Sequence, residues 1–292
     1  MAFPIRSSGM DDFRKLIRAA IAAGVIVVTL GVTFGASARA ADESPWSDDS
    51  RSTFRLIAGS NKSGASPLRA GIEIKLQPGW KTYWRYPGDS GVPPRFDFGG
   101  SENLARAKVL YPAPHLFTDD TGKTLGYKDS VIFPVQVTAK HPGKPVTLRL
   151  KIDYAVCEKL CIPAEGRAEL TLGVGDSAND AALTAAQALV PKPTLASEIG
   201  LTAQRVSTGP KPLVYVDFAA PAGEPVELFV EGPNPEWALP IPQPAQGAPP
   251  GRRHFGFELD GLPPGVNPKG NFKLTFTVVE GSHAIEVTTH LD

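Results

Sequence analysis

Apolar and polar residues alternate along Gly71-Ile72-Glu73-Ile74-Lys75-Leu76, the two-residue period of a half-buried β-strand. Strand-like runs recur at 54–58, 68–76, 107–110, 131–138, 146–152 and 167–172. Proline and glycine, 29 of each in the chain, punctuate the gaps. Short strands separated by turn signals predict a β-sandwich, placed at residues 44–175. Residues 179–190 read differently: they are Ala- and Leu-rich, with Asn179 or Asp180 available as N-cap and Pro191 and Pro193 as the stop. They predict a short helix within a linker at 176–194. Strand-like runs resume at 213–218, 226–230, 254–259, 272–279 and 284–290, placing a second sandwich at 195–292. The Pro-rich stretch 233–250 is excluded as a central strand, because proline has no N–H to give a ladder. The predicted fold is all-β: two immunoglobulin-like β-sandwich domains joined by a short helix and a Pro-containing linker.

The first 40 residues follow another pattern. Arg14, Lys15 and Arg18 precede an uncharged apolar run, 19–34, and Ala38-Arg39-Ala40 follows as an A-x-A cleavage signal. This is the layout of a signal peptide at 1–40. The run is shorter than the ~20 residues a spanning helix needs, and an uncleaved anchor is the alternative. A twin-arginine pair is absent, which favours Sec export. The segment takes five Lys/Arg and two Asp/Glu with it, leaving 25 basic and 28 acidic side chains. No basic block stands out, which argues against nucleic acid as a partner. The expected destination is the periplasm, where a disulfide persists.

Cys157 and Cys161 are the chain's two cysteines, and Glu158, Lys159 and Leu160 lie between them. Strand-like runs on both sides put them at the turn of a β-hairpin. A loop this small yields little chain-entropy stabilisation when closed, so a purely structural bridge would gain more by tying distant strands. Spacing and compartment leave three readings: a redox-active pair, a structural bridge, and a metal site. Both methionines, Met1 and Met10, lie in the predicted signal peptide, so the exported chain has no thioether for Cu(I). No His or Cys spacing completes a metal site, and no nucleotide fingerprint occurs. Lys159 would lower a neighbouring thiol pKa and Glu158 would raise it. Asp119, Asp120 and Glu165 are candidate proton acceptors. Trp80, Tyr83, Trp84 and Tyr86 make a dense aromatic group. Tyr83 is a candidate shield for the disulfide, and Tyr154, three residues before Cys157, is a candidate to pack on the sulfurs.

Several ordered motifs resemble one family. They are 78–91 (Pro-Gly-Trp-Lys-Thr-Tyr-Trp-Arg-Tyr-Pro-Gly-Asp-Ser-Gly), Ser101-Glu102-Asn103, Tyr111-Pro112-Ala113-Pro114-His115, Gly126-Tyr127, Phe133-Pro134-Val135, and Asp153-Tyr154-Ala155-Val156-Cys157 through Cys161-Ile162-Pro163. Over 54–172 the chain resembles the N-terminal periplasmic domain of the thiol–disulfide interchange protein DsbD, in its ScsB-like branch. The second domain resembles, more loosely, the additional domain of ScsB-type ectodomains. The resemblance implies thiol–disulfide exchange at Cys157 and Cys161, with Cys161 forming the mixed disulfide and Cys157 resolving it. It implies a membrane-embedded thiol reductase as electron donor, and thioredoxin-like or disulfide-isomerase-like periplasmic proteins as acceptors. It also implies an aromatic lid over the cysteines, for which Phe117 is the first candidate and Leu125 the second. No cofactor is implied. The chain departs from the family in its shorter cysteine gap. Family members also continue into a transmembrane domain that this sequence lacks, so the donor is expected to be a separate protein.

Overall fold

A computed structural model describes Met1 and residues 41–291, apart from 48–49, 63–65, 120–121, 207–210, 221–224 and 249. The expected signal peptide lies outside the described residues. Among those described, no helix is long and apolar enough to cross a membrane.

Ten strands build the first sandwich: β1 (Ser52–Ala58), β2 (Leu68–Leu76), β3 (Lys81–Gly88), β4 (Arg95–Asp97), β5 (Leu104–Val109), β6 (His115–Asp119), β7 (Gly122–Lys128), β8 (Ser130–Ala139), β9 (Val146–Cys157) and β10 (Cys161–Leu172). One sheet runs β1-β2-β8-β5; the other runs β10-β9-β3-β7-β6, with β4 also paired to β9. The alternation read in β2 points Ala70, Ile72 and Ile74 inward, against Phe54, Phe133 and Leu150 among others.

Three strands, β3, β6 and β7, carry no legible alternation. In β3 both faces are covered: Tyr83 is 1% and its neighbour Trp84 0% exposed. In β7, glycine and threonine occupy buried positions beside Leu125 and Tyr127, so polarity does not report burial there. β9 also runs on to Cys157, and β10 begins at Cys161.

Helix α1 (Asp180–Ala188) follows. It packs onto β2 and β8 through Leu183 and Ala186. The approach is close: a Cβ on Gly71 would sit 2.7 Å from Leu183 Cδ2. Asn179 stands at the N-cap, but its side chain donates to the Asp42 carbonyl instead of capping. Asp180 accepts from the Ser60 N–H. The linker is therefore docked on the first sandwich.

The second sandwich comprises β11 (Lys192–Pro193), β12 (Thr202–Arg205), β13 (Leu213–Ala219), β14 (Val226–Glu231), β15 (Gln243–Pro244), β16 (Arg252–Glu258), β17 (Lys273–Glu280) and β18 (His283–His290). Its sheets run β11-β18-β17-β14 and β12-β13-β16-β15. Among the described residues, the Pro-rich stretch adds to the sheets only the two residues of β15, at an edge.

The two sandwiches lie in one compact unit, Ala40–Asp292. Strand β14 explains how. Leu228 and Val230 point into the second core, while Phe229, on the opposite face, joins the core of the first sandwich together with Ile241. Phe229 lies 6.1 Å from Trp84, ring centroid to ring centroid.

Candidate functional site

The site is the tip of the β9–β10 hairpin. Cys157 and Cys161 are direct cross-strand partners, disulfide-bonded, with Cα atoms 4.2 Å apart. So short a separation marks a pair without ladder hydrogen bonds, whose N–H and C=O groups point away from each other. Pro163, two residues on, faces Ala155 in the same kind of pair. Its missing N–H therefore falls on the free edge of β10, where no ladder bond is lost.

The two sulfurs are unequally placed. Cys157 is 2% exposed, whereas Cys161 lies on the surface. Leu160, at the turn between them, is 78% exposed.

Strand β3 pairs with β9, and Lys81 stands opposite Cys157. Tyr83, two residues further, projects from the same face. Its hydroxyl donates to Cys157 Sγ at 2.8 Å and lies 3.0 Å from Cys161 Sγ. Tyr83, Ala155 and Cys157 form a small buried cluster of their own. A loop closes over it. Gly91, at φ +131°, passes so near that a Cβ would lie 2.4 Å from the Tyr83 ring, and only glycine accepts that backbone and that contact. Asp89 ties the loop to β7: its N–H donates to the Lys123 carbonyl and its carboxylate accepts from the Lys123 N–H, both at 2.9 Å. Burial, reinforced by Asp119, raises the Tyr83 pKa above the ordinary 10.0, so the phenol keeps its proton and remains a donor.

Tyr83 is the sequence candidate that reaches the sulfurs. Tyr154 is not at them. Three residues along a strand places a side chain on the opposite face; Tyr154 points into the core, bonded to Ser52 Oγ at 2.7 Å and packed edge-on against Phe54. Leu125, fully buried in the same core, is no lid either. Phe117 lies in paired strand β6, half-buried, with its ring against Lys81 and His115. Of the other aromatics, Trp84 faces the core, Trp80 packs against it from the rim with Arg51 5.9 Å from its ring, and Tyr86 donates to the Leu239 carbonyl. Glu165 is exposed opposite Asp153, and Asp120 lies outside the described residues.

Sequence reasoning missed Lys81. Its ammonium is 2.7 Å from Asp119 Oδ2, 3.1 Å from Thr124 Oγ1 and 5.6 Å above the Phe117 ring. It places a cation on the sulfurs' face of the sheet. Its position two residues before Tyr83 was the available signal. Among the described residues, no group of three or more His, Cys, Asp or Glu side chains could hold a metal.

An oxidised cysteine pair at the tip of a sandwich hairpin, one residue buried and one exposed, defines a disulfide-bearing immunoglobulin-like protein. Residues 53–173, the first sandwich, match the family described as thiol:disulfide interchange protein DsbD, N-terminal. Across both sandwiches the chain is similar to the N-terminal periplasmic domain of ScsB from Proteus mirabilis. The two share 20% identity over 86% of this chain and 98% of that one, with a TM-score of 0.67. Two other matches are too distant in shape to inform the fold. A chimeric titin Z1Z2 has 10% identity, 87% and 97% coverage and a TM-score of 0.16; zebrafish RET cadherin-like domains 1 to 4 have 8%, 82% and 64%, and 0.20. No curated protein matches the chain.

Proposed function

We propose that this is a periplasmic thiol–disulfide exchange protein. It relays reducing equivalents from a membrane thiol reductase to oxidised thioredoxin-like partners through Cys157 and Cys161. The observation that carries the reading is the asymmetry of the pair: Cys161 is an exposed residue, and Cys157 a buried one whose sulfur accepts from a phenol. A donor thiolate attacks Cys161 Sγ, and Cys157 leaves as a thiolate that accepts the Tyr83 hydrogen bond. A second donor thiol then releases Cys161, completing a two-electron reduction. In the return half, the Cys161 thiolate attacks an acceptor disulfide, and Cys157 resolves the mixed disulfide. Exposed Leu160 gives the partner an apolar contact beside the attacked sulfur. Phe117 is the lid residue on this reading, swinging over the outer face of the sheet it shares with the sulfurs. Export through the 1–40 signal peptide delivers the chain to the compartment where such exchange is needed.

The test is reduction by a protein dithiol. A reduced thioredoxin-like domain is expected to convert the oxidised chain to its dithiol form at near-stoichiometric amounts, read by thiol alkylation and mass. A disulfide left intact by that dithiol, in chain that remains folded, would favour a structural bridge.

A further inference from the structure

Strand β3 carries two sets of contacts with different destinations. Tyr83 reaches the sulfurs. The next three residues engage the second sandwich. Trp84 packs on Phe229. Arg85 grips Glu231 with two nitrogens, at 2.7 to 3.1 Å, and also bonds Glu286. The Tyr86 hydroxyl donates to the Leu239 carbonyl. The loop covering Tyr83 is held from the same side: Asp89 ties it to the Lys123 backbone, and the Lys123 ammonium bonds Gln243. So the strand beneath Tyr83 and the loop above it are both anchored in the second sandwich. Arg85 is the centre of that anchorage. Its side chain is 28% exposed, and those of Glu231 and Glu286 are 18% and 29%. Charges this far from water, in two-pronged geometry, constrain position more than a surface pair does. Removing the guanidinium breaks the ties from β3 to Glu231 on β14 and Glu286 on β18, and leaves their two half-buried carboxylates without a counter-charge.

We propose that the second sandwich is a positioning element for the disulfide and that Arg85 is the positioning residue through which it acts. The clamp on β3 keeps the Tyr83 hydroxyl on the sulfurs. The proposal rests on the exchange reading and assigns the second sandwich a part in it. Two opposed effects of loosening the clamp can be weighed. A looser cover would admit more reductant, but the attacked residue, Cys161, is already exposed. A displaced phenol would leave the departing Cys157 thiolate without its donor, in a buried site. The second effect dominates, so reduction slows.

The experiment is reduction of the oxidised full chain by dithiothreitol under pseudo-first-order conditions, in four proteins: unmodified, Arg85→Met, Tyr83→Phe and the double variant. One dithiothreitol thiolate forms a mixed disulfide with Cys161 and expels Cys157. Its second thiol closes the cyclic disulfide and frees Cys161, so two electrons pass to the chain. Each single variant is expected to slow reduction about tenfold, as loss of one hydrogen bond to a charged sulfur would. The double variant is expected to match Tyr83→Phe within about twofold, because both changes remove the same contact. An unchanged rate in Arg85→Met would overturn the proposal, and so would an additive slowing of about a hundredfold in the double variant. Should Arg85→Met not fold, Gln243→Leu loosens the cover through Lys123. It is expected to slow reduction less, and again only where Tyr83 is present; equal slowing with and without Tyr83, or none, would contradict the clamp. If the unmodified chain itself resists dithiothreitol, the exchange reading fails; if it is reduced and the variants behave like it, only this inference fails.

Discussion

A Cys157→Ala protein is expected to form a stable mixed disulfide through Cys161, and a Cys161→Ala protein to form almost none. The probe is a thioredoxin-like domain with a single cysteine, activated as its mixed disulfide with thionitrobenzoate. Attack by a chain thiolate makes the protein–protein S–S bond and expels the coloured thionitrobenzoate, whose release gives the rate. Thiolate reactivity depends on access as well as on pKa, so Cys157, a residue 2% exposed beneath Tyr83, should react more slowly than its surface partner, on the order of 10²-fold. Equal rates would remove the distinction between an attacking and a resolving cysteine. A faster Cys161→Ala protein would reverse the roles.

The second large effect concerns the junction of the sandwiches. Phe229→Ala should destabilise the folded chain by about 3–5 kcal/mol, the usual range for a buried aromatic truncated to alanine. Phe229 is 1% exposed and packs on Trp84, which is fully buried. Phe229 leaves its own sandwich to enter the first core, where Trp84 packs on it, so truncation leaves a void at the junction. Denaturant unfolding gives the number. It should also resolve a single transition in the unmodified chain into two in the variant, because the shared core is what couples the sandwiches. Leu160→Ala is the control: at 78% exposure it should shift stability by no more than about 0.5 kcal/mol. A Phe229→Ala cost below about 1 kcal/mol would mean the contact is not core packing.

Much of this molecule is legible in its sequence because strand alternation reports one-sided burial. β2 and β8 alternate, and the pattern gives their ends closely. The site lies where that signal fails. Tyr83 and Trp84 are adjacent, on opposite faces, and both buried, because a loop covers one face and a core the other. Such a strand reads as an aromatic cluster with no direction. The choice between Tyr83 and Tyr154 as the ring at the sulfurs needed the β3–β9 register, which places Lys81 opposite Cys157 and hence Tyr83 on the sulfurs' face. Parity alone already argued against Tyr154: an offset of three along a strand crosses to the other face. Leu125 read as loop because its neighbours Lys123, Thr124 and Gly126 are polar or small, yet β7 is a central strand. The anchorage of β3 in the second sandwich had no local signal. Arg85 and Glu231 are 146 residues apart, and nothing in either neighbourhood announces the other.

The same geometry bears on the helix between the sandwiches. Read as a spacer, α1 would leave the second sandwich free to swing. Docked through Leu183 against Gly71, and followed by a β11 that pairs with β18, it instead shortens the free connection between them to a few residues. This agrees with Phe229 and Ile241 belonging to the first core.

The most direct test of the central claim is the reduction potential of the Cys157–Cys161 pair in the full chain, set by equilibration with defined dithiol and disulfide mixtures. An exchange-active pair should equilibrate at a potential above about −300 mV, within reach of thioredoxin-like proteins. A value below about −300 mV, with the bond resisting those buffers, would mark a structural bridge and contradict the account.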